Sequence, residues 1–98
     1  MPGIRLSRAA ESHIEDIWVY SLTEWGEVQA ETYAAVIEKA LTELAENPCL
    51  GRLRPEIRAE YRSFRAGKHI IFYRVSGEIV EILGILHERM DPGRHLED

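Results

Sequence analysis

Three β-rich runs, residues 61–67, 68–75 and 78–91, are joined through Gly67 and through Ser76-Gly77. Runs of this length joined by tight glycine turns predict an antiparallel meander. In the second run Ile71, Tyr73 and Val75 point to one side of the strand, and Ile70, Phe72 and Arg74 to the other. The third run is apolar on both sides, Ile79, Leu83 and Ile85 alternating with Val80, Ile82 and Leu86, which marks a central strand.

The preceding half of the chain must cover this sheet. Residues 3–6 make a short strand, and Ser7 stands where a helix N-cap belongs, with Glu11 and Glu15 placed to complement the helix's positive end. Ala10, Ile14, Ile17, Trp18 and Ser21 recur at helical spacing up to about Leu22. Trp25-Gly26 breaks that period, and a second stripe (Ala30, Tyr33, Ile37, Ala40, Leu41, Leu44) runs to Asn47-Pro48. Two helices joined by a glycine turn form an αα-hairpin. Residues 49–60 hold Gly51 and Pro55 and no period, so they read as loop, and residues 91–98 read as a tail.

The order β-α-α-β-β-β predicts one α+β domain over 1–98, with a helix hairpin packed on a mostly antiparallel four-stranded sheet. The sheet face turned away from the helices is then available to a partner.

Charge says what kind of partner. Nine acids against three bases give residues 1–48 a charge of −6, whereas seven bases against two acids give residues 52–74 a charge of +5. An overall charge of −5 argues against sequence-blind nucleic-acid binding across the whole surface. The basic segment suits an acidic partner on one face. A lone Cys49 leaves no intramolecular disulfide, the start of the chain has no apolar signal core, and no run approaches the roughly 20 apolar residues of a membrane span. These features point to the cytoplasm.

Leu6-Ser7-Arg8-Ala9-Ala10, Ile14-Glu15-Asp16-Ile17-Trp18, Trp25-Gly26, Gln29-Ala30 and Asn47-Pro48 are followed by Gly51-Arg52, Glu56-Ile57-Arg58, Tyr61-Arg62 and Gly67-Lys68-His69. Phe72-Tyr73-Arg74-Val75 and Ile85-Leu86-His87-Glu88-Arg89-Met90-Asp91 complete the set. In order and spacing these stretches resemble the ParE toxins of the RelE/ParE superfamily over nearly the whole chain. The resemblance implies a ParD-like antitoxin as partner, DNA gyrase as target, and a binding mode of action without catalytic residues, cofactor or metal. It places target binding at Arg89, Met90, Asp91, Arg94, His95 and Leu96. Arg58, Arg62, Arg65, Tyr73 and Arg74 are the expected antitoxin-facing set, since antitoxin tails are typically acidic and arginine pairs bidentately with carboxylates.

The superfamily also holds RelE-like toxins that cut mRNA on the ribosome. That chemistry needs a base for the 2′-hydroxyl, a cation for the phosphate and an acid for the leaving oxygen. Arg89 matches the late arginine of such chains. Ile70 stands about where they carry a strand arginine, however, and His95 is the nearest residue to their late tyrosine. A third alternative is an inactive toxin kept as an antitoxin-binding module. Plainer roles compete too: Arg52, Arg54, Arg58, Arg62 and Arg65 can guard a loop and an edge strand. His13 reads as a surface residue, Trp18 as core and Trp25 as packing. Glu88 and His87 are strand neighbours facing opposite sides, and Cys49 has no activating pattern.

Overall fold

In the computed structural model, which describes residues 3–96, the chain runs β1 (Gly3–Leu6), α1 (Arg8–Trp25), α2 (Glu27–Glu46), β2 (Arg52–Leu53), β3 (Arg62–Ala66), β4 (His69–Ser76), β5 (Ile79–His87) and α3 (Pro92–His95). Ser7 caps α1 by accepting the Ala10 N–H at 3.0 Å, and its hydroxyl donates to the Leu83 carbonyl at 3.1 Å. One side chain thus satisfies a helix end and fastens it to the sheet. α1 passes the end predicted near Leu22 and stops at Trp25. Gly26, at φ 88°, is the residue free to leave the helix, and it serves as C-cap of α1 and N-cap of α2 at once.

The sheet order is β1-β5-β4-β3-β2, with β1 parallel to β5 and the remaining pairs antiparallel. The α+β two-layer architecture is as predicted, but the strands number five, not four. The addition is β2, whose Arg52 and Leu53 pair with Ser63 and Arg62 inside the stretch read as loop. Two residues leave no alternation to detect. Tertiary bonds hold the approach to β2: the Tyr73 hydroxyl accepts the Gly51 N–H at 2.7 Å and donates to the Pro48 carbonyl at 2.7 Å. Arg62 donates to the Gly51 carbonyl at 2.7 Å.

A bulge corrects the predicted facing of β5. Phe72 pairs with Gly84 but Tyr73 pairs with Ile82, so Leu83 is an extra residue. Val80, Ile82 and Ile85 therefore share the helix-facing core with Ile71 and Tyr73, against Ala10, Ile37, Ala40 and Leu44. Each large aliphatic side chain buried there contributes about 1.5–3 kcal/mol. Phe72 alternates to the opposite face, where the Arg54 guanidinium lies 5.6 Å from its ring centroid.

β1 stops at Leu6, leaving the second half of β5 without a strand on that side. His13 takes over part of that edge, its Nδ1 accepting the Ile85 N–H at 3.1 Å. It is therefore half-buried against the sheet, not the surface residue read from its acidic neighbours. The tryptophans depart from expectation in the other direction, Trp18 being 37% and Trp25 52% exposed. Among the described residues no helix is long and apolar enough to cross a membrane.

Candidate partner-binding surfaces

The first surface is the crevice between the two helices. Ile14, Ile17 and Trp18 of α1 face Ala34, Ile37 and Leu41 of α2 across a cavity of about 300 Å³. The single-residue Gly26 turn keeps the helices side by side, and small residues (Ala30, Ala34) on α2 leave the space open. Half-exposed Trp18 forms one wall. An apolar slot flanked by helices suits the apolar stripe of a third helix.

The second surface is the sheet face opposite the helices. Arg5, Glu81 and Arg74 stand side by side on β1, β5 and β4, paired in register. Arg74 Nε donates to Glu81 Oε1 at 2.9 Å, and Arg5 bonds the other oxygen. Hydrogen bonds from Arg5 and then Arg74 hold the Glu81 carboxyl below the usual range. Farther along, Arg65 pairs in register with Ile70 and donates to Glu88 at 3.1 Å, which lowers the Glu88 carboxyl likewise. Arg54 occupies the middle, bonding Glu56 at 2.5 Å and Ser63 at 3.2 Å.

The five residues expected to face an antitoxin do not form one patch. Arg65 and Arg74 lie toward opposite ends of this face, each paired with a glutamate. Arg62 is committed to the Gly51 carbonyl, and Arg58 sits in the exposed turn between β2 and β3. Tyr73 requires correction: it is fully buried and acts as the strut under Gly51, so its ring is not available at the surface. The strand alternation that put its ring on one face did not reveal that this face is the core.

The third surface is the end of β5. Of the residues predicted as a tail, 91–96 are folded there and 97–98 lie outside the described residues; just before them, Met90 N–H bonds the His87 carbonyl at 2.9 Å and Arg89 N–H the His87 Nδ1 at 3.3 Å. Asp91 caps α3 through the Gly93 N–H at 3.0 Å. Leu96 packs over Gly84, where an added Cβ would come within 2.5 Å of it. Arg89, Met90, Asp91, Arg94 and His95 are exposed on this turn, so the six residues expected to meet a target are brought together.

Sequence reasoning missed a fourth feature. Tyr33 hydroxyl contacts His69 Nδ1 at 2.5 Å and accepts the Lys68 N–H at 3.0 Å. His69 faces His87 across β4 and β5 with ring centroids 5.5 Å apart. Burial, and secondarily the neighbouring His87, push the His69 imidazole down to about 4. The turn at Ser76-Gly77 alone would set Leu86 opposite His69, and it is the bulge that brings His87 there.

The family model described as the ParE toxin of type II toxin-antitoxin system, parDE, matches residues 4–92. Toxin ParE1 of Mycobacterium tuberculosis (strain H37Rv) is 45% identical over 92 residues, covering 93% of this chain and 94% of that protein. Toxin ParE1 of Caulobacter vibrioides is 42% identical over 96 residues, covering 98% and 99%. Among solved structures, a chain of the chromosomal ParDE TA system from P. aeruginosa aligns with a TM-score of 0.77 at 20% identity, over 89% of this chain and 96% of that one. A chain of the RelBE2 toxin–antitoxin complex from Mycobacterium tuberculosis aligns with a TM-score of 0.65 at 25% identity, over 89% and 99%. With a family match running from β1 through the helix hairpin to the end of β5, this chain belongs to the ParE toxins of type II toxin–antitoxin systems.

Proposed function

We propose that this protein arrests growth by inhibiting DNA gyrase in the cytoplasm and that a ParD-like antitoxin neutralises it. The observation that carries the proposal is near end-to-end similarity, at 45% and 42% identity, to proteins named Toxin ParE1. In this reading the toxin works by holding its target and performs no chemistry. The exposed turn after β5, with Arg89, Met90, Asp91, Arg94, His95 and the docked Leu96, is the target-binding end. The antitoxin lays a helix in the crevice between α1 and α2 and an acidic extended segment along the sheet, where its carboxylates exchange with Glu81 and Glu88 for Arg74 and Arg65. Arg58, in the exposed turn between β2 and β3, extends that basic track, while Arg62 stays on the Gly51 carbonyl.

The register supports a binder over a nuclease. Ile70, at about the position where RelE-like cutters carry a strand arginine, lies between Arg65 and Leu86 and supplies no cation. The test is a supercoiling assay with purified gyrase: the full chain inhibits supercoiling or traps cleaved DNA, and a chain truncated after Glu88 loses this while keeping antitoxin binding. Unaffected gyrase at high toxin concentration overturns the target. Site-specific cuts in ribosome-bound mRNA would put the nuclease in its place, and tight antitoxin binding without growth arrest would identify an inactive binding module.

A further inference from the structure

A second cavity, of about 440 Å³, adjoins the interhelical crevice and is lined by residues of α1, α2, β4 and β5. Its volume falls within the range of small-molecule sites. His13, His69 and His87 all line it, together with Lys68. Each imidazole has its Nδ1 engaged by the protein: His13 by the Ile85 N–H, His87 by the Arg89 N–H, and His69 by the Tyr33 hydroxyl. Tyr33 oxygen accepts from Lys68 N–H, and of the two acceptors within reach of its own proton, His69 Nδ1 at 2.5 Å is much nearer than the Ala66 carbonyl at 3.5 Å, so the proton is assigned to His69. A neutral imidazole that accepts at Nδ1 carries its hydrogen on Nε2. The three rings are therefore all donors at their remaining nitrogen.

Those nitrogens are accessible. None has a protein partner among the described residues, yet no half-buried side chain there contains a sequestered, unpartnered polar atom. Three N–H donors and an ammonium around one cavity call for a ligand rich in acceptors, with Asp16 the single acid on its wall. A metal is a poorer fit: among the described residues no three His, Cys, Asp or Glu side chains converge to hold one.

The rest of the lining is aromatic. Tyr20, Trp25, Tyr33, His69 and His87 form an unbroken file of rings, with successive centroids 5.8, 6.2, 5.5 and 5.5 Å apart. Tyr20 is 60% and Trp25 52% exposed, so the outer end of this file is solvated and ready to stack. Ring faces beside a donor array select a flat π-system that bears negative charge.

We propose that this cavity binds a planar aromatic anion of mononucleotide size, its flat part against Trp25 and Tyr20 and its anionic group on His69, His87 and Lys68. The cavity shares Ile17 and Ser21 with the interhelical crevice, but Tyr20, Trp25, Lys68, His69 and His87 lie outside the crevice's lining, and the proposal does not depend on gyrase being the target. A free nucleotide and an aromatic carboxylate share this chemistry. Titration of the full-length protein with AMP, adenosine, inorganic phosphate and indole-3-carboxylate, read by Trp fluorescence and by imidazole ¹H–¹⁵N shifts, tests it. AMP or indole-3-carboxylate should saturate at or below about 1 mM, with adenosine and phosphate each at least about tenfold weaker. Whichever anion binds tighter names the source. Trp25→Ala and His87→Gln should each weaken the tighter ligand by about tenfold or more while the far-UV spectrum stays that of the parent. Inorganic phosphate binding as tightly as either aromatic anion, shifts confined to other surfaces, unaltered affinity in both variants, or no saturation by about 10 mM ligand would each overturn the proposal.

Discussion

His13 Nδ1 stands 3.1 Å from the Ile85 amide nitrogen and does for β5 what a longer β1 would have done. The Ile85 side chain is 2% exposed, so its N–H has little access to water once the imidazole is removed. His13→Ala should cost about 1–3 kcal/mol. For a domain of this size that is a fall in Tm of roughly 4–8 °C per kcal/mol. Thermal unfolding checks the fall in Tm, and hydrogen exchange at the Ile85 amide, which should quicken in the variant, checks the bond itself. An unchanged Tm with unchanged exchange would remove this bond from the account.

His69 predicts a pH dependence. Its pKa is about 4 in the folded protein against 6.5 as the ordinary value. The unfolded chain binds more protons between those limits, so stability is complete above about 6.5 and declines as pH falls toward 4. The full loss is at most about 3 kcal/mol, reduced by solvent screening of a ring that is only half-buried. Urea unfolding at pH 7, 5.5 and 4 should show this decline, and His69→Gln should make it shallower, the remainder coming from His13, whose imidazole burial also lowers. The arginine-paired Glu81 and Glu88 lose their stabilising pairs only below the ordinary carboxylate value of 4.5, so their contribution comes later in the titration. A His69→Gln profile parallel to the parent's over pH 7 to 4 would assign the decline to other groups.

The Tyr73 hydroxyl carries two bonds at 2.7 Å, to Gly51 N–H and Pro48 carbonyl, in a site where an added Cβ on Gly51 would collide with the hydroxyl oxygen at 2.4 Å and the ring at 2.6 Å. Tyr73→Phe keeps the packing and strands both backbone groups. The expected cost is about 1–3 kcal/mol, with β2 loosening first. Faster exchange at the Gly51 amide than at core β4 amides is the measurement, and Gly51→Ala should be the more damaging change of the two.

Ala34 lies on the rim of the interhelical crevice and is itself exposed. Ala34→Arg should alter stability by no more than about 0.5 kcal/mol. If the antitoxin's helix occupies that crevice, the same change should weaken antitoxin binding at least about a hundredfold, as in the loss of a buried anchor. Calorimetric titration decides this. Full affinity in Ala34→Arg would move the contact to the sheet face.

Much of the architecture was legible because local chemistry and global packing agree. Ser7, the spacing of Ala10 through Ser21, and Gly26 mark the helix hairpin, and Gly67 and Gly77, at φ 63° and 62°, mark the hairpin turns of the meander. What escaped has a common cause: it depends on contacts between residues distant along the chain. β2 exists because Tyr73 and Arg62 hold Gly51, and Leu83 slips the register without any glycine or proline to announce it. The same slip sets His87 opposite His69, so the imidazole cluster could not be read from spacing. The basic segment was read as one face for an acidic partner, whereas four of its arginines are engaged within the chain, by Glu81, Glu88, Glu56 and a backbone carbonyl.

Gly26 belongs to both helices, so the hairpin has no slack at its vertex. The slot between α1 and α2 is consequently a preset mould whose width is governed by one residue's torsions. A visiting helix finds its berth already shaped and surrenders little entropy to remodel it. Differences in affinity between partners should then appear mainly as differences in residence time, since arrival needs no rearrangement of the host.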